Sequence, residues 1–160
     1  GWQGGAGRGG GWQGAASRRR CTDCGVVRPR VLGNARALEE GGWATYSEAA
    51  VAKALATGRP AFVVFTADWC ITCKMNEKTG LKRDAVLEAF AAGGYALFKA
   101  DWTRRDDTIR TRLADVGRAG VPLYLVYSPD APASPQVLSE LLTQREVIDA
   151  LEGPQFAARP

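Results

Sequence analysis

Apolar and polar positions along residues 43–153 predict helices and strands that alternate. Ser47 has the character of a helix N-cap, and the apolar residues after it recur at helical spacing until Gly58, a residue typical of helix C-termini. Residues 61–66 then form an almost continuous apolar run. Such a run is typical of a central strand that is covered on both faces.

The remaining elements continue this alternation. We predict a helix over about 70–79 that breaks at Gly80, a helix over 84–92, a strand over 95–100, a helix over 104–116, a strand over 121–127, a short strand near 136–138 and a final helix over 143–151. A turn rich in Pro, Asp and Ser joins the last two strands, which predicts a hairpin. The final helix opens with Thr143-Gln144-Arg145-Glu146, a capping box. This order predicts an α/β fold with a mixed central sheet of about four to five strands and helices on both faces.

Residues 1–42 have a different composition from the rest of the chain. They hold 12 of the 19 glycines, and the sequence Gly-Trp-Gln-Gly at position 1 recurs at position 11. With few apolar residues to bury, such a segment cannot offset the entropy cost of ordering. We therefore predict a low-complexity, disordered segment over 1–42, one domain over 43–153 and a C-terminal tail over 154–160.

Charge and composition exclude several functions. The net charge of +4 resides in residues 1–42, and the remainder is neutral, so no nucleic-acid partner is expected. The chain has no histidine, which excludes Ser-His-Asp and Cys-His catalytic pairs and any histidine-ligated metal site. Its apolar runs are too short to span a bilayer, and positions 1–30 lack the apolar region of a signal peptide.

A C-x-x-C motif follows the predicted central strand directly. Cys70 and Cys73 lie in Asp68-Trp69-Cys70-Ile71-Thr72-Cys73-Lys74, where a helix begins. The N–H groups and dipole of a helix N-terminus stabilise a thiolate, which is the species that attacks disulfides. A second cysteine three residues later can resolve the resulting mixed disulfide. The motif therefore predicts a redox-active pair, with Cys70 as nucleophile and Cys73 as resolving thiol.

A second C-x-x-C motif leaves an alternative open. Cys21 and Cys24 have the same spacing, and four cysteines suffice for a structural zinc site. The two motifs are separated by 45 residues, whereas zinc ribbons use about 15–20. Redox chemistry at Cys70 and Cys73 is the favoured interpretation, with a zinc-binding structural protein as the alternative.

Three segments together resemble the thioredoxin fold, and more closely the C-terminal thioredoxin-like domain of the DsbD family of bacterial thiol:disulfide interchange proteins. The resemblance covers roughly residues 43–153. The segments are Phe65-Thr66-Ala67-Asp68-Trp69-Cys70-Ile71-Thr72-Cys73-Lys74-Met75-Asn76-Glu77, Lys99-Ala100-Asp101-Trp102-Thr103 and Gly120-Val121-Pro122-Leu123-Tyr124.

The resemblance implies roles for residues around the cysteines. Glu77, four residues after Cys73 and on the same helix face, would exchange the proton of the resolving thiol. Pro122 would be a cis-proline opposite the site, leaving the backbone of Val121 to pair with a substrate strand. Trp69 would cover the site and contribute to substrate binding.

Two further positions would have supporting roles, and a third position differs from the residue found in many related proteins. Asp68 and Lys74, which flank the motif, would shape the site rather than react. Many thioredoxin-like proteins have a buried Asp six residues before the first cysteine, where this chain has Val64. Proton transfer would then depend more on Glu77 or on water.

The resemblance also implies a cellular role. The Ile71-Thr72 dipeptide contains no cation that would make the pair strongly oxidising, which favours a protein-disulfide reductase or electron relay. Electrons would come from a membrane-embedded donor domain and pass to a thioredoxin-like acceptor in the bacterial periplasm, in a membrane-anchored protein linked to cytochrome c biogenesis. No cofactor is expected beyond the cysteine pair. A non-catalytic thioredoxin-like interaction domain is the second alternative.

Overall fold

A five-stranded sheet forms the centre of the computed structural model, which describes residues 42–153. Residues 1–41 and 154–160, with the predicted low-complexity segment and tail, lie outside the described residues. The elements are β1 (Trp43–Thr45), α1 (Glu48–Ala56), β2 (Ala61–Thr66), α2 (Ile71–Asn76), a π-helical turn (Glu77–Leu81), α3 (Asp84–Ala92), β3 (Ala96–Asp101), α4 (Asp107–Asp115), β4 (Leu123–Tyr127), β5 (Gln136–Val137) and α5 (Gln144–Leu151).

The sheet is mixed, with strand order β1-β3-β2-β4-β5. β1 and β2 run parallel to β3, whereas β4 is antiparallel to β2 and β5 is antiparallel to β4. All six residues of β2 are buried, as its apolar run predicts. The mixed sheet and the terminal hairpin are confirmed. β1 was not predicted, because three residues at a sheet edge carry too little periodicity to be recognised.

Helices cover both faces of the sheet. On one face, α1 and α4 pack against Val63 and Phe65 of β2. On the other, α3, α5 and the π-helical turn pack against Phe62 and Val64. Successive β2 side chains therefore enter different cores, which explains why the strand shows no polar alternation. None of the helices within residues 42–153 combines the length and apolar character that a membrane crossing requires.

The predicted break at Gly80 is wrong. After α2 the chain continues through Gly80 as a π-helical turn that ends at Leu81. Gly80 is buried against the loop before α5, where a Cβ atom would lie 3.2 Å from the carbonyl oxygen of Leu142. The glycine therefore permits a close approach between segments and does not end the helix.

The ends of the helices and strands agree with the predictions in one case and differ in two. Ser47 caps α1 as expected, its Oγ accepting from the N–H of Ala50 at 3.1 Å. The helix predicted over 104–116 begins later than residue 104, because Asp106 is the N-cap of α4. β4 begins at Leu123 rather than at 121, because Pro122 has no N–H to donate to a neighbouring strand.

Only half of the predicted capping box of α5 forms. The Oγ1 of Thr143 accepts from the N–H of Glu146 at 3.2 Å. The carboxylate of Glu146 does not return to Thr143, and instead accepts from the backbone N–H and the hydroxyl of Ser139, both at 2.8 Å. Glu146 thus ties the helix to the loop that follows β5.

Candidate active site

Cys70 and Cys73 form a disulfide where β2 gives way to α2, with an Sγ–Sγ distance of 2.11 Å. Cys70 is the N-cap of α2, and its Sγ accepts from the backbone N–H of Cys73 at 3.2 Å. Cys70 is 6% exposed and Cys73 is 1% exposed. The same N–H would stabilise a thiolate on Cys70 after reduction. Both cysteines are buried, Cys70 slightly less than Cys73.

The segment around Pro122 packs against the disulfide. The Val121–Pro122 peptide bond is cis, as expected. Val121 is partly buried against a small cluster formed by Ala67 and the two cysteines. The structure therefore brings Val121, Pro122 and the cysteine pair together at one end of the sheet, although they are some fifty residues apart in the sequence.

Asp68 and Lys74 flank the disulfide at the surface. The Nζ of Lys74 lies 3.9 Å from the carboxylate of Asp68, and the two side chains are 58% and 79% exposed. An ion pair in such contact with water contributes little to stability. The backbone of Asp68 is held more firmly, since its N–H donates to the Oγ1 of Thr103 at 2.9 Å.

Thr103 is a site residue that sequence reasoning missed. Its carbonyl oxygen also accepts from the indole Nε1–H of Trp69, at 3.4 Å. The carboxylate of Asp101 accepts from both the hydroxyl and the backbone N–H of Thr103, and these bonds lower the pKa of Asp101. The spacing Asp-x-Thr after a strand is the available sequence signal, because it favours such a turn. The loop after β3 thus holds the residues that lead into the cysteine motif.

Glu77 lies at the junction of α2 with the π-helical turn. Its backbone N–H donates to the carbonyl oxygen of Cys73, so the expected spacing of four along the helix is present. Its carboxylate is 27% exposed and lies 3.6 Å from the Nζ of Lys82. A proton-exchange role for Glu77 stays a prediction.

Asn76 is a second residue that sequence reasoning missed. Its buried side chain donates to the hydroxyl of Tyr124 at 2.9 Å and to the carbonyl oxygen of Glu140 at 2.7 Å, and it accepts from the N–H of Leu142 at 3.3 Å. Burial raises the pKa of Tyr124 to about 12, against the hydrogen bond from Asn76, which lowers it. Asn76 therefore anchors the C-terminal end of the helix that carries the cysteines.

Val64 is buried in the core cluster on one face of the sheet. It lies opposite Tyr124 in the β2–β4 pairing and packs in the same core cluster as Tyr124 and Leu81. The position that holds an acid in many thioredoxin-like proteins thus contributes no titratable group here.

Apolar side chains surround the cysteines at the surface. Trp69, Ile71 and Met75 are 50%, 77% and 59% exposed. Cys21 and Cys24 of the second motif lie outside the described residues.

A sheet of this order, with a C-x-x-C disulfide after its central strand and a cis Val121–Pro122 bond in the segment that packs beside it, defines a thioredoxin-fold protein. A family model described as thioredoxin-like matches residues 42–129. The chain belongs to this thioredoxin-like family.

The domain is similar in sequence to one region of a DsbD protein. It is 33% identical over 82 residues to thiol:disulfide interchange protein DsbD 1 of Pseudomonas aeruginosa, a match that covers 51% of this chain and 14% of that protein. The matched region is thus a small part of the relative's length.

Solved structures of DsbD C-terminal domains and of a thioredoxin are similar to this domain. The C-terminal domain of Neisseria meningitidis DsbD, in reduced and in oxidised form, is 25% identical with a TM-score of 0.54 in both cases. These alignments cover 68% of this chain and 97% and 96% of those domains. A thioredoxin from Thermus thermophilus, 20% identical over 69% of this chain and 83% of its own, has a TM-score of 0.56 and supports the fold.

Proposed function

We propose that this domain is a thiol-disulfide oxidoreductase that acts as a protein-disulfide reductase or electron relay. One observation carries the proposal. The Sγ of Cys70 lies at the start of α2, accepts a backbone N–H bond and is covalently paired with the buried Cys73. This geometry provides both an activated nucleophile and a resolving thiol.

The reaction begins with both cysteines reduced. The Cys70 thiolate attacks one sulfur of a partner disulfide, forming a mixed disulfide and releasing the partner's other sulfur as a thiolate, which takes a proton. Cys73 then loses its proton and attacks the Sγ of Cys70, forming the intramolecular disulfide and expelling the second partner thiolate. Two electrons and two protons pass to the partner, and a donor dithiol must return them.

The surrounding residues have distinct proposed roles. Glu77 accepts the proton of Cys73 directly or through water, since Val64 offers no acid on the strand side. The backbone of Val121 beside Pro122 pairs with an extended partner segment, and Trp69 contributes apolar contact area. Asp68 and Lys74 support the loop. The chemistry requires no cofactor besides the cysteine pair.

The similarity to DsbD supports a proposal for the electron donor and the electron acceptor of the domain. Electrons come from a membrane-embedded domain and leave to a thioredoxin-like protein in the bacterial periplasm. The absence of a cation at Ile71 and Thr72 favours this reducing direction, because such a group would stabilise the reduced pair and make it oxidising.

Trapping of the mixed disulfide tests the proposal. Cys73→Ala in the full chain is incubated with a disulfide-containing protein, and the adduct is mapped by mass spectrometry. An adduct on Cys70 is expected, and Cys70→Ala serves as the matched control that forms none there. No adduct, or one only on Cys21 or Cys24, would overturn the proposal. One tightly held zinc per chain with no accessible thiol would support the zinc alternative instead.

A further inference from the structure

The loop that joins β3 to α4 contains an unusual backbone conformation at a residue that contacts Trp69. Arg105 has a φ of +57°, and it is the single non-glycine residue within 42–153 with a positive φ. Side chains with a Cβ atom disfavour this conformation, which glycine adopts freely. An arginine in this conformation indicates that contacts of its side chain stabilise the loop.

Three hydrogen bonds besides those of Thr103 hold the loop that contains Arg105. The N–H of Trp102 donates to the carbonyl oxygen of Thr66 at 2.8 Å, which attaches the loop to the end of β2. The N–H of Arg105 donates to the carbonyl oxygen of Trp102 at 2.9 Å, and the indole N–H of Trp102 donates to the backbone carbonyl oxygen of Asp106 at 3.1 Å. The position of Arg105 is therefore fixed relative to the strand that leads to the cysteines.

The Arg105 guanidinium lies against two aromatic rings. Its central carbon is 5.8 Å from the ring centroid of Trp69 and 6.0 Å from that of Trp102. The two rings are themselves 6.1 Å apart and inclined by 56°. Trp102 is buried and Trp69 is half exposed, so the buried ring and the cation together restrict the exposed one.

We propose that Arg105 is a positioning residue for Trp69. Through its cation–π contact with the indole of Trp69, the residue before Cys70, it holds that ring in one orientation, so that a protein partner meets a preformed apolar surface. This inference rests on the proposed function of the cysteine pair. The ring of Trp69 acts through contact with a protein partner. Loss of its fixed orientation therefore slows the reduction of protein disulfides and leaves the reduction of small disulfides unaffected.

Arg105→Gly is the informative variant, because glycine adopts the same positive φ while the guanidinium and its aliphatic stem are both removed. We expect the heteronuclear NOE of the Trp69 indole N–H, assigned with Trp69→Phe, to fall. The KM for reduction of insulin rises about two- to fivefold, as the strength of an exposed cation–π contact implies. The rate with hydroxyethyl disulfide stays unchanged, and Arg105→Lys restores part of the loss.

Arg104→Ala is the matched control, since it removes the same charge from the same exposed loop. If Arg105→Gly leaves either the indole NOE or the insulin KM at the native value, or if Arg104→Ala reproduces its effects, the inference is wrong. Failure of the native protein to reduce insulin contradicts the proposed function instead. In that case the indole NOE alone decides the role of Arg105.

Discussion

The side-chain amide of Asn76 donates to the hydroxyl of Tyr124 at 2.9 Å, joining the helix of the cysteines to the strand that follows the cis-proline. The same amide group contacts the backbone at Glu140 and Leu142. One buried side chain thus connects three segments that are distant in sequence. The end of α2 is positioned by tertiary hydrogen bonds as much as by its own helical bonds.

Asn76→Ala should destabilise the fold. The substitution leaves the buried hydroxyl of Tyr124 and the backbone groups at residues 140 and 142 without their partner. We expect a loss of about 2–3 kcal/mol in the free energy of unfolding, because unsatisfied buried polar groups are costly. Urea denaturation measures it. Tyr124→Phe is the control and should cost less, and equal stability of Asn76→Ala and the native chain would contradict the anchoring role.

Stability should fall at alkaline pH through Tyr124. Its pKa is raised in the folded state to about 12, from an ordinary value of 10, because burial disfavours the phenolate. The folded state therefore holds its proton where the unfolded state has lost it, and this contribution is complete below pH 10 and is lost as pH rises through 12. Denaturation at pH 9 and pH 11 should show a larger decrease for the native chain than for Tyr124→Phe.

Glu77→Gln should slow the second step of exchange. The amide cannot accept the proton of Cys73, so release of the mixed disulfide slows by at least about tenfold, a modest part of what general bases supply. Rapid-quench measurement of the mixed disulfide follows this step across pH. Lys82→Ala is the matched control, since it removes the ion-pair partner of Glu77 but keeps the carboxylate. Unchanged release in Glu77→Gln would assign the proton to water.

Val64→Asp should restore an acid at the cost of stability. The new carboxyl would lie in an apolar core beside Tyr124, and burial would raise its pKa above that in the unfolded chain. The folded state then binds the proton more tightly, so stability decreases as pH rises from 4 through the folded-state pKa. Thermal melting from pH 4 to pH 8 measures this, with Val64→Asn as the non-titrating control. A pH-independent difference between the two variants would show that the carboxyl stays ionised.

The parts of the fold that follow from local pattern were predictable. The continuous apolar run of β2 and the Ser47 cap each have a local physical cause, and the structure confirms them. The predicted break at Gly80 was wrong because that glycine serves a contact with Leu142, which no local pattern reveals.

The cysteine pair of the site could be predicted from the sequence, whereas the residues that hold it in place could not. The C-x-x-C motif identifies the reactive pair, because its spacing and its place after a strand are local properties. Thr103, Asn76 and Arg105 support the site through contacts between segments about 30 to 60 residues apart. Such contacts become visible only once the strands are paired.

The burial of Cys73 beneath Cys70 has a consequence for oxidative damage. If peroxide converts the Cys70 thiolate to a sulfenic acid, the Cys73 thiol lies near enough to condense with it, giving the disulfide and water. This reaction competes with irreversible oxidation to sulfinic acid, and Cys73 itself is shielded at 1% exposure. A cysteine pair of this geometry thereby also limits its own chemical inactivation.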